Sequence, residues 1–177
     1  MMTRTHIGLG SLALLATVGT LMGQGSSGTA YLKTKVNPTR AGVFVDGKYV
    51  GPAANFGSAR KYALPPGEHK VKLVEPRYED VETTVTLTAG KTTELKQSMK
   101  ALPPAKGPFG KIRTENADEM AAVYVNDHFM GHVDEFSNFA QALMIPPGEY
   151  DVRIEPTNGA PIKQHVKVEA DKTVIVK

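Results

Sequence analysis

The fold is decided by the stretch AGVFVDG at residues 41–47, which returns eighty residues later as AAVYVND at residues 121–127. After a one-residue insertion, LPPGE at residues 64–68 aligns in the same way with IPPGE at residues 145–149. A fixed period of this kind indicates one structural unit that occurs twice in the chain. We therefore divide the sequence into two copies of a single small unit.

The repeat predicts four segments. Residues 1–29 form a signal peptide or transmembrane anchor with a spacer, and residues 30–100 form the first repeat. Residues 101–109 are a short linker that its prolines make fairly stiff, since proline restricts the backbone φ angle. Residues 110–177 form the second, more divergent repeat.

Each repeat has the pattern of an all-β unit. Short runs of alternating apolar and polar residues are separated by turn residues, and no ten-residue stretch of either repeat keeps a helical period. Asp46-Gly47 is suited to a two-residue hairpin turn, whereas Asn126-Asp127 is a poorer but workable one. About seven short strands per repeat predict two tandem β-sandwiches of immunoglobulin-like type, preceded by one N-terminal hydrophobic helix.

These residues carry a family resemblance. The strand and turn VFVDG at residues 43–47, Gly51, and the turn LPPGEH at residues 64–69 resemble the PEGA domain. The motif that names the family is replaced here by PTRA at residues 38–41, and the second repeat has ADEMA at residues 117–121 instead. The resemblance implies a small extracytoplasmic β-sandwich of bacterial and archaeal surface proteins, and it brings no catalytic residues.

The first thirty residues indicate export. Arg4 precedes a long uncharged stretch that continues to Leu32, as in a secretory signal or a membrane anchor. The length of this stretch lies between that of a cleavable signal and that of a membrane-spanning helix, so cleavage and retention both remain open. In either case the repeats lie on the periplasmic or extracellular side, attached to the inner membrane if the segment is retained. The candidate anchor residues are Ile7, Leu9, Leu12, Leu14, Leu15, Val18, Leu21 and Met22.

The sequence lacks the usual constellations of an enzyme. It has no cysteine, which excludes disulfides, thiolate metal sites and a cysteine nucleophile. The glycine pattern at residues 23–28 matches a dinucleotide motif in letters, but it follows an export segment and precedes a strand. His69 and His165 lie in alternating strands without a neighbouring nucleophile. We therefore predict no catalytic residues and no cofactor.

One histidine pair is a candidate for metal binding. His128 and His132 are four residues apart, with Asp134 and Glu135 following. On a strand this spacing separates two side chains by roughly 13 Å, which is too far for one ion. The prediction is therefore a solvated loop and no metal site.

Charge and exposed aromatics suggest how the chain meets its partners. Residues 31–100 carry twelve Lys/Arg against seven Asp/Glu, and residues 110–177 carry seven against eleven. The recurring Phe56 and Phe136 are predicted to fill the cores, whereas Phe139 has no counterpart in the first repeat and is the candidate contact residue. The basic residues are dispersed, so nucleic acid is not predicted as a partner.

Together these features predict a non-catalytic extracytoplasmic structural and protein-binding module. It would be a membrane-tethered accessory subunit that bridges parts of a larger envelope or membrane protein complex. The alternative is a secreted surface adhesin or glycan-binding module, against which the absence of tryptophan counts mildly.

Overall fold

The computed structural model describes residues 28–58, 60–116, 118–138, 140–156 and 158–177. The predicted anchor residues from Ile7 to Met22, the predicted N-terminal helix and the candidate contact residue Phe139 lie outside these ranges. Within the described ranges, no helix has the length and apolar character needed to cross a bilayer.

The first repeat folds into two sheets. Its strands are β1 (Ala30–Asn37), β2 (Gly42–Val45), β3 (Lys48–Pro52), β4 (Tyr62–Leu64), β5 (Gly67–Val74), β6 (Val81–Leu87) and β7 (Thr92–Ser98). A three-stranded sheet has the order β4-β1-β7, in which β1 and β7 are parallel. A four-stranded antiparallel sheet has the order β3-β2-β5-β6.

The second repeat has the same topology. Its strands are β8 (Gly110–Thr114), β9 (Ala122–Val125), β10 (His128–His132), β11 (Leu143–Ile145), β12 (Gly148–Glu155), β13 (Ile162–Val168) and β14 (Thr173–Val176). The sheet orders are β11-β8-β14 and β10-β9-β12-β13, which repeat those of the first half position by position. A single helical turn at Val133–Phe136 matches a 3-10 turn at Ala53–Phe56 in the first repeat. The prediction of a mostly β chain is confirmed.

Each repeat has its own apolar core, filled by inward-facing residues of the alternating strands. Leu32 and Leu73 are fully buried in the first, and Ile112 and Ile154 occupy the corresponding core of the second. Phe136 is buried in the second core and Phe56 packs against the first, which confirms that the recurring phenylalanine fills the core.

The two predicted hairpin turns are present. Asp46 and Gly47 have φ angles of 51° and 82°, and Asn126 and Asp127 have 47° and 62°. Positive φ at both central residues is what a tight two-residue hairpin requires, and Asn and Asp tolerate it better than other residues with side chains. The weaker Asn-Asp turn therefore makes the same hairpin as Asp-Gly.

The two repeats pack against each other through an aromatic cluster. Tyr124 and Phe129 of the second repeat form a cluster with Phe44, Tyr49 and Val74 of the first. All of these side chains lie on the outer faces of the four-stranded sheets. Strand β9 is consequently buried along its whole length, on one side by its own core and on the other by this cluster.

Candidate functional site

A cleft of about 910 Å³ lies beside the contact between the repeats. Its floor is the outer face of strands β2, β5 and β6, and its other wall is the β9–β10 hairpin of the second repeat. Phe44 lies on the floor, and Phe129 and Met130 lie on the opposite wall. Ligand sites are commonly clefts of this size at domain boundaries, lined mostly by apolar groups with a few polar ones.

The floor of the cleft changes character along strand β5. At one end, Lys70 pairs with Thr84 of the neighbouring strand and gives a polar, cationic surface. Four residues further along, Val74 adjoins Pro76, Tyr78 and Leu102, which are mainly apolar. At about 3.3 Å per residue, the two ends are roughly 13 Å apart.

The middle of the floor is a row of three side chains on adjacent strands. Phe44 pairs with Lys72, and Lys72 pairs with Glu82. The Lys72 ammonium lies 2.9 Å from Asp80 and 3.7 Å from Glu82, and the hydrogen bond to Asp80 is the main reason that its pKa is raised. Lys72 is thereby turned toward these acids, whereas Lys70 makes no salt bridge to any described residue.

The two repeats differ at the position of Lys72. The residue equivalent to Lys72 is Arg153, whose guanidinium lies 3.9 Å from the centre of the Tyr124 ring. A guanidinium over an aromatic face is attracted by the ring quadrupole, so Arg153 covers one face of Tyr124, whereas Lys72 lies beside Asp80 and Glu82. Burial, the largest cause, raises the pKa of Tyr124 to about 12.

The aromatic residues of the contact between the repeats come from the same two sequence positions in each repeat. Phe44 and Tyr49 are the repeat equivalents of Tyr124 and Phe129. The Phe129 ring lies 5.6 Å from Phe44 and 5.4 Å from Tyr49, distances typical of favourable aromatic pairs. Gly42 makes room for this ring, because a Cβ atom there would lie 2.7 Å from Phe129.

Polar groups complete the contact. Arg40 of the first repeat lies 3.0 Å from Glu135 of the second, and the other oxygen of Glu135 lies 2.7 Å from His132 Nδ1. The His132 ring is 2% exposed and stacks 5.8 Å from the ring of Tyr49. Burial raises the pKa of the Tyr49 hydroxyl far above its ordinary value.

The structure corrects the reading of the histidine pair. His128 is exposed and its Nδ1 lies 2.8 Å from the carbonyl oxygen of Asn126, as a solvated loop residue would be placed. His132 is instead part of the buried contact, so its assignment to a solvated loop is wrong. Ligand atoms of His132, Asp134 and Glu135 lie within 4.8 Å of one another.

That grouping is better explained as a structural contact than as a metal site. Glu135 is already shared by the Arg40 guanidinium and the His132 ring, and a cation bound there would be repelled by Arg40. Asp134 is exposed and lies two residues after His132, in the helical turn. We assign no metal to this grouping.

His69, one of two histidines with a possible catalytic role, has a structural role. His69 is buried; its Nδ1 lies 2.7 Å from Asp46 Oδ2, and its Nε2 lies 2.9 Å from the carbonyl oxygen of Pro65. Both partners are hydrogen-bond acceptors, an arrangement that favours protonation of both ring nitrogens. The hydrogen bond to Asp46 is the main cause of the raised pKa of His69, and it lowers the pKa of Asp46.

The second repeat has a similar set of hydrogen bonds at this hairpin, made by uncharged side chains. Tyr150 stands at the position of His69, and its hydroxyl donates a hydrogen bond of 2.9 Å to the carbonyl oxygen of Pro146. Asn126 stands at the position of Asp46, and its side-chain oxygen accepts from the Asp151 amide at 2.9 Å, as Asp46 accepts from Lys70. The equivalence indicates that Asp46 and His69 brace the hairpin.

The first repeat matches the model of a known domain family. With two sheets and a braced hairpin in each repeat, the chain is a mostly β protein built from sandwich-like units. Residues 30–102 match the family model of the PEGA domain, and this match does not extend to the second repeat. PEGA domains are typically non-catalytic extracellular modules.

The chain was also compared with curated proteins and with solved structures. No curated protein matches the chain. Among solved structures, it is similar to the Bacillus anthracis TIE protein, with 13% sequence identity and a TM-score of 0.31 over 85% of this chain. The chain spans about a third of the length of that structure, since 33% of it is covered.

Proposed function

We propose that this protein is a non-catalytic, extracytoplasmic protein-binding module that serves as a membrane-tethered accessory subunit of an envelope or membrane protein complex. The observation that carries the proposal is the PEGA-domain match of residues 30–102 directly behind an export-type sequence. The second repeat is proposed to be a divergent domain of the same kind.

The arrangement of side chains supports binding rather than catalysis. The side chains of His69 and the buried His132 each hold a carboxylate of the fold, Asp46 and Glu135 respectively. A base catalyst needs a free lone pair, and both nitrogens of His69 are occupied by acceptors. What the repeats leave open is a cleft and broad sheet surfaces, which suit recognition of another macromolecule.

The tether would hold the body close to the membrane. Residues 23–29 separate the apolar segment from Ala30, where strand β1 begins. Seven extended residues reach at most about 25 Å, so the first repeat cannot move far from the bilayer. Its basic surface suits that position, because anionic headgroups attract nearby lysines and arginines.

Two measurements test the proposal. Mass spectrometry of the native N-terminus decides whether the apolar segment is retained, and a chain that starts near residue 26 or 31 would remove the tether. Purification of the native protein in mild detergent, followed by identification of reproducibly co-purifying proteins, tests the role as a subunit. Retention on immobilised glycans with no stoichiometric protein partner would favour the adhesin instead.

A further inference from the structure

The cleft between the repeats has an apolar end at Val74 and a cationic end at Lys70. The proposed protein-binding function leaves open which surface binds and what it recognises. We propose that the cleft binds an extended segment of a partner protein, with an apolar side chain at the Val74–Leu102 end and a carboxylate at Lys70. This inference rests on the proposed function and names the surface that performs it.

The apolar end provides the anchor. Leu102 is 43% exposed at the edge of the cleft, and its backbone is positioned by a hydrogen bond of 2.8 Å from its amide to the carbonyl oxygen of Arg77. Val74 and Tyr78 line the same end. An exposed leucine fixed beside a partly buried aromatic group offers a preformed surface for an apolar side chain.

The charges give the segment its direction. Lys72 is compensated by Asp80 and Glu82, so it does not need an acid from a ligand. Lys70 lines the other end without a salt bridge to any residue within the described ranges. A carboxylate placed beside Lys70 would therefore gain a new ion pair without displacing an existing one.

The separation of the two ends sets the spacing. Lys70 and Val74 are four residues apart on one face of strand β5. An extended peptide that lies along this strand presents every second side chain to the cleft, at the same rise per residue. The matching segment has an apolar and an acidic residue four positions apart, with a small side chain between them over Phe44.

Peptide binding to the whole chain tests the spacing. Fluorescent peptides with leucine and aspartate four residues apart are compared by anisotropy with isomers whose aspartate is moved by one position to the opposite face. We expect at least fivefold tighter binding of the four-residue spacing in one chain direction. Equal affinity of the isomers in both directions, or no binding of either, overturns the proposal.

Matched variants locate the site. Lys70→Gln and Leu102→Asp should each weaken binding at least fivefold, whereas Lys35→Gln and Met144→Asp should not, since these exposed residues lie outside the cleft. Equal losses in the control variants overturn the proposal, as does binding only to oligosaccharides or anionic vesicles. If a partner still co-purifies with both cleft variants, the cleft is wrong while the proposed subunit function stands.

Discussion

The charged brace of the first hairpin makes a prediction that the repeat itself helps to test. Asp46→Asn together with His69→Tyr copies into the first repeat the Asn126–Tyr150 arrangement of the second. The double variant keeps a donor to the Pro65 carbonyl and an acceptor for the Lys70 amide, because the second repeat shows that Tyr and Asn supply both. It removes the two charges and the hydrogen bond between them.

The sign and size of the effect follow from the two pKa directions. His69 has a raised pKa in the folded protein, so its contribution is full below the unfolded value of about 6.5 and is lost as pH rises through the folded value. Asp46 has a lowered pKa, so its contribution is present above about 3.9 and lost as pH falls through the folded value. Asp46 is half exposed, which places the pair near the lower end of charged hydrogen bonds, at about 1–2 kcal/mol.

Urea unfolding followed by far-UV circular dichroism, from pH 5 to pH 9, measures this contribution. We expect the free energy of unfolding of the wild type to fall with rising pH over the titration of His69, by up to roughly 1.4 kcal/mol per pH unit. The double variant should lose most of this slope. The control His165→Gln removes an exposed His–Asp pair whose hydrogen bond also raises the histidine pKa, but solvent screens this pair more, so the control should change the slope less than the double variant does. An unchanged slope in the double variant, or an NMR titration of His69 at or below about 6.5, would refute the reasoning.

Other predictions concern the contact between the repeats. Gly42→Ala places a Cβ atom 2.7 Å from the Phe129 ring, so it should separate the repeats and raise the radius of gyration measured by small-angle X-ray scattering; Gly57→Ala, whose Cβ would meet only an ordinary contact at 3.6 Å, should not. His132→Ala should lower the free energy of unfolding by about 2–4 kcal/mol, because it removes a buried ring, whereas His128→Ala should change it by less than about 0.5 kcal/mol. Chelator should leave the melting temperature unchanged, and a drop of several degrees would contradict our assignment of no metal.

The sequence was most informative where structure is local. Alternation along the strands and the turn residues Asp46-Gly47 act over a few neighbours, so strands and hairpins could be read directly from the chain. The contact between the repeats could not. Phe44 and Tyr124 stand at outward positions of their strands, and the same alternation that buries Val43 assigns them to solvent. The contact with the other repeat, which the tertiary fold creates, covers both residues, so that Tyr124 is buried and Phe44 is half-buried.

His132 shows the same limitation for a single residue. Asp134 and Glu135 follow it closely, and its spacing from His128 on a strand excluded a shared ion, which led to the prediction of a solvated loop. Its ring partner Tyr49 comes from the other repeat, and Arg40, which holds Glu135 in place, does as well. One feature of the sequence distinguishes His132: its equivalent in the first repeat is Pro52. The repeated fold itself therefore does not require a histidine at this position.

Comparison of the repeats separates the residues that build the fold from those that distinguish the two surfaces. Thr34 and Thr114 are equivalent, and the buried hydroxyl of each donates to a backbone carbonyl of the following helical turn, at 2.7 and 3.0 Å. This identity reflects a structural need that both sandwiches share. Lys72 and Arg153 are also equivalent and both pair with neighbouring acids, but Arg153 additionally lies over the ring of Tyr124. The cleft has its floor on the four-stranded sheet of the first repeat, so a segment bound there as proposed should have a stoichiometry of one per chain.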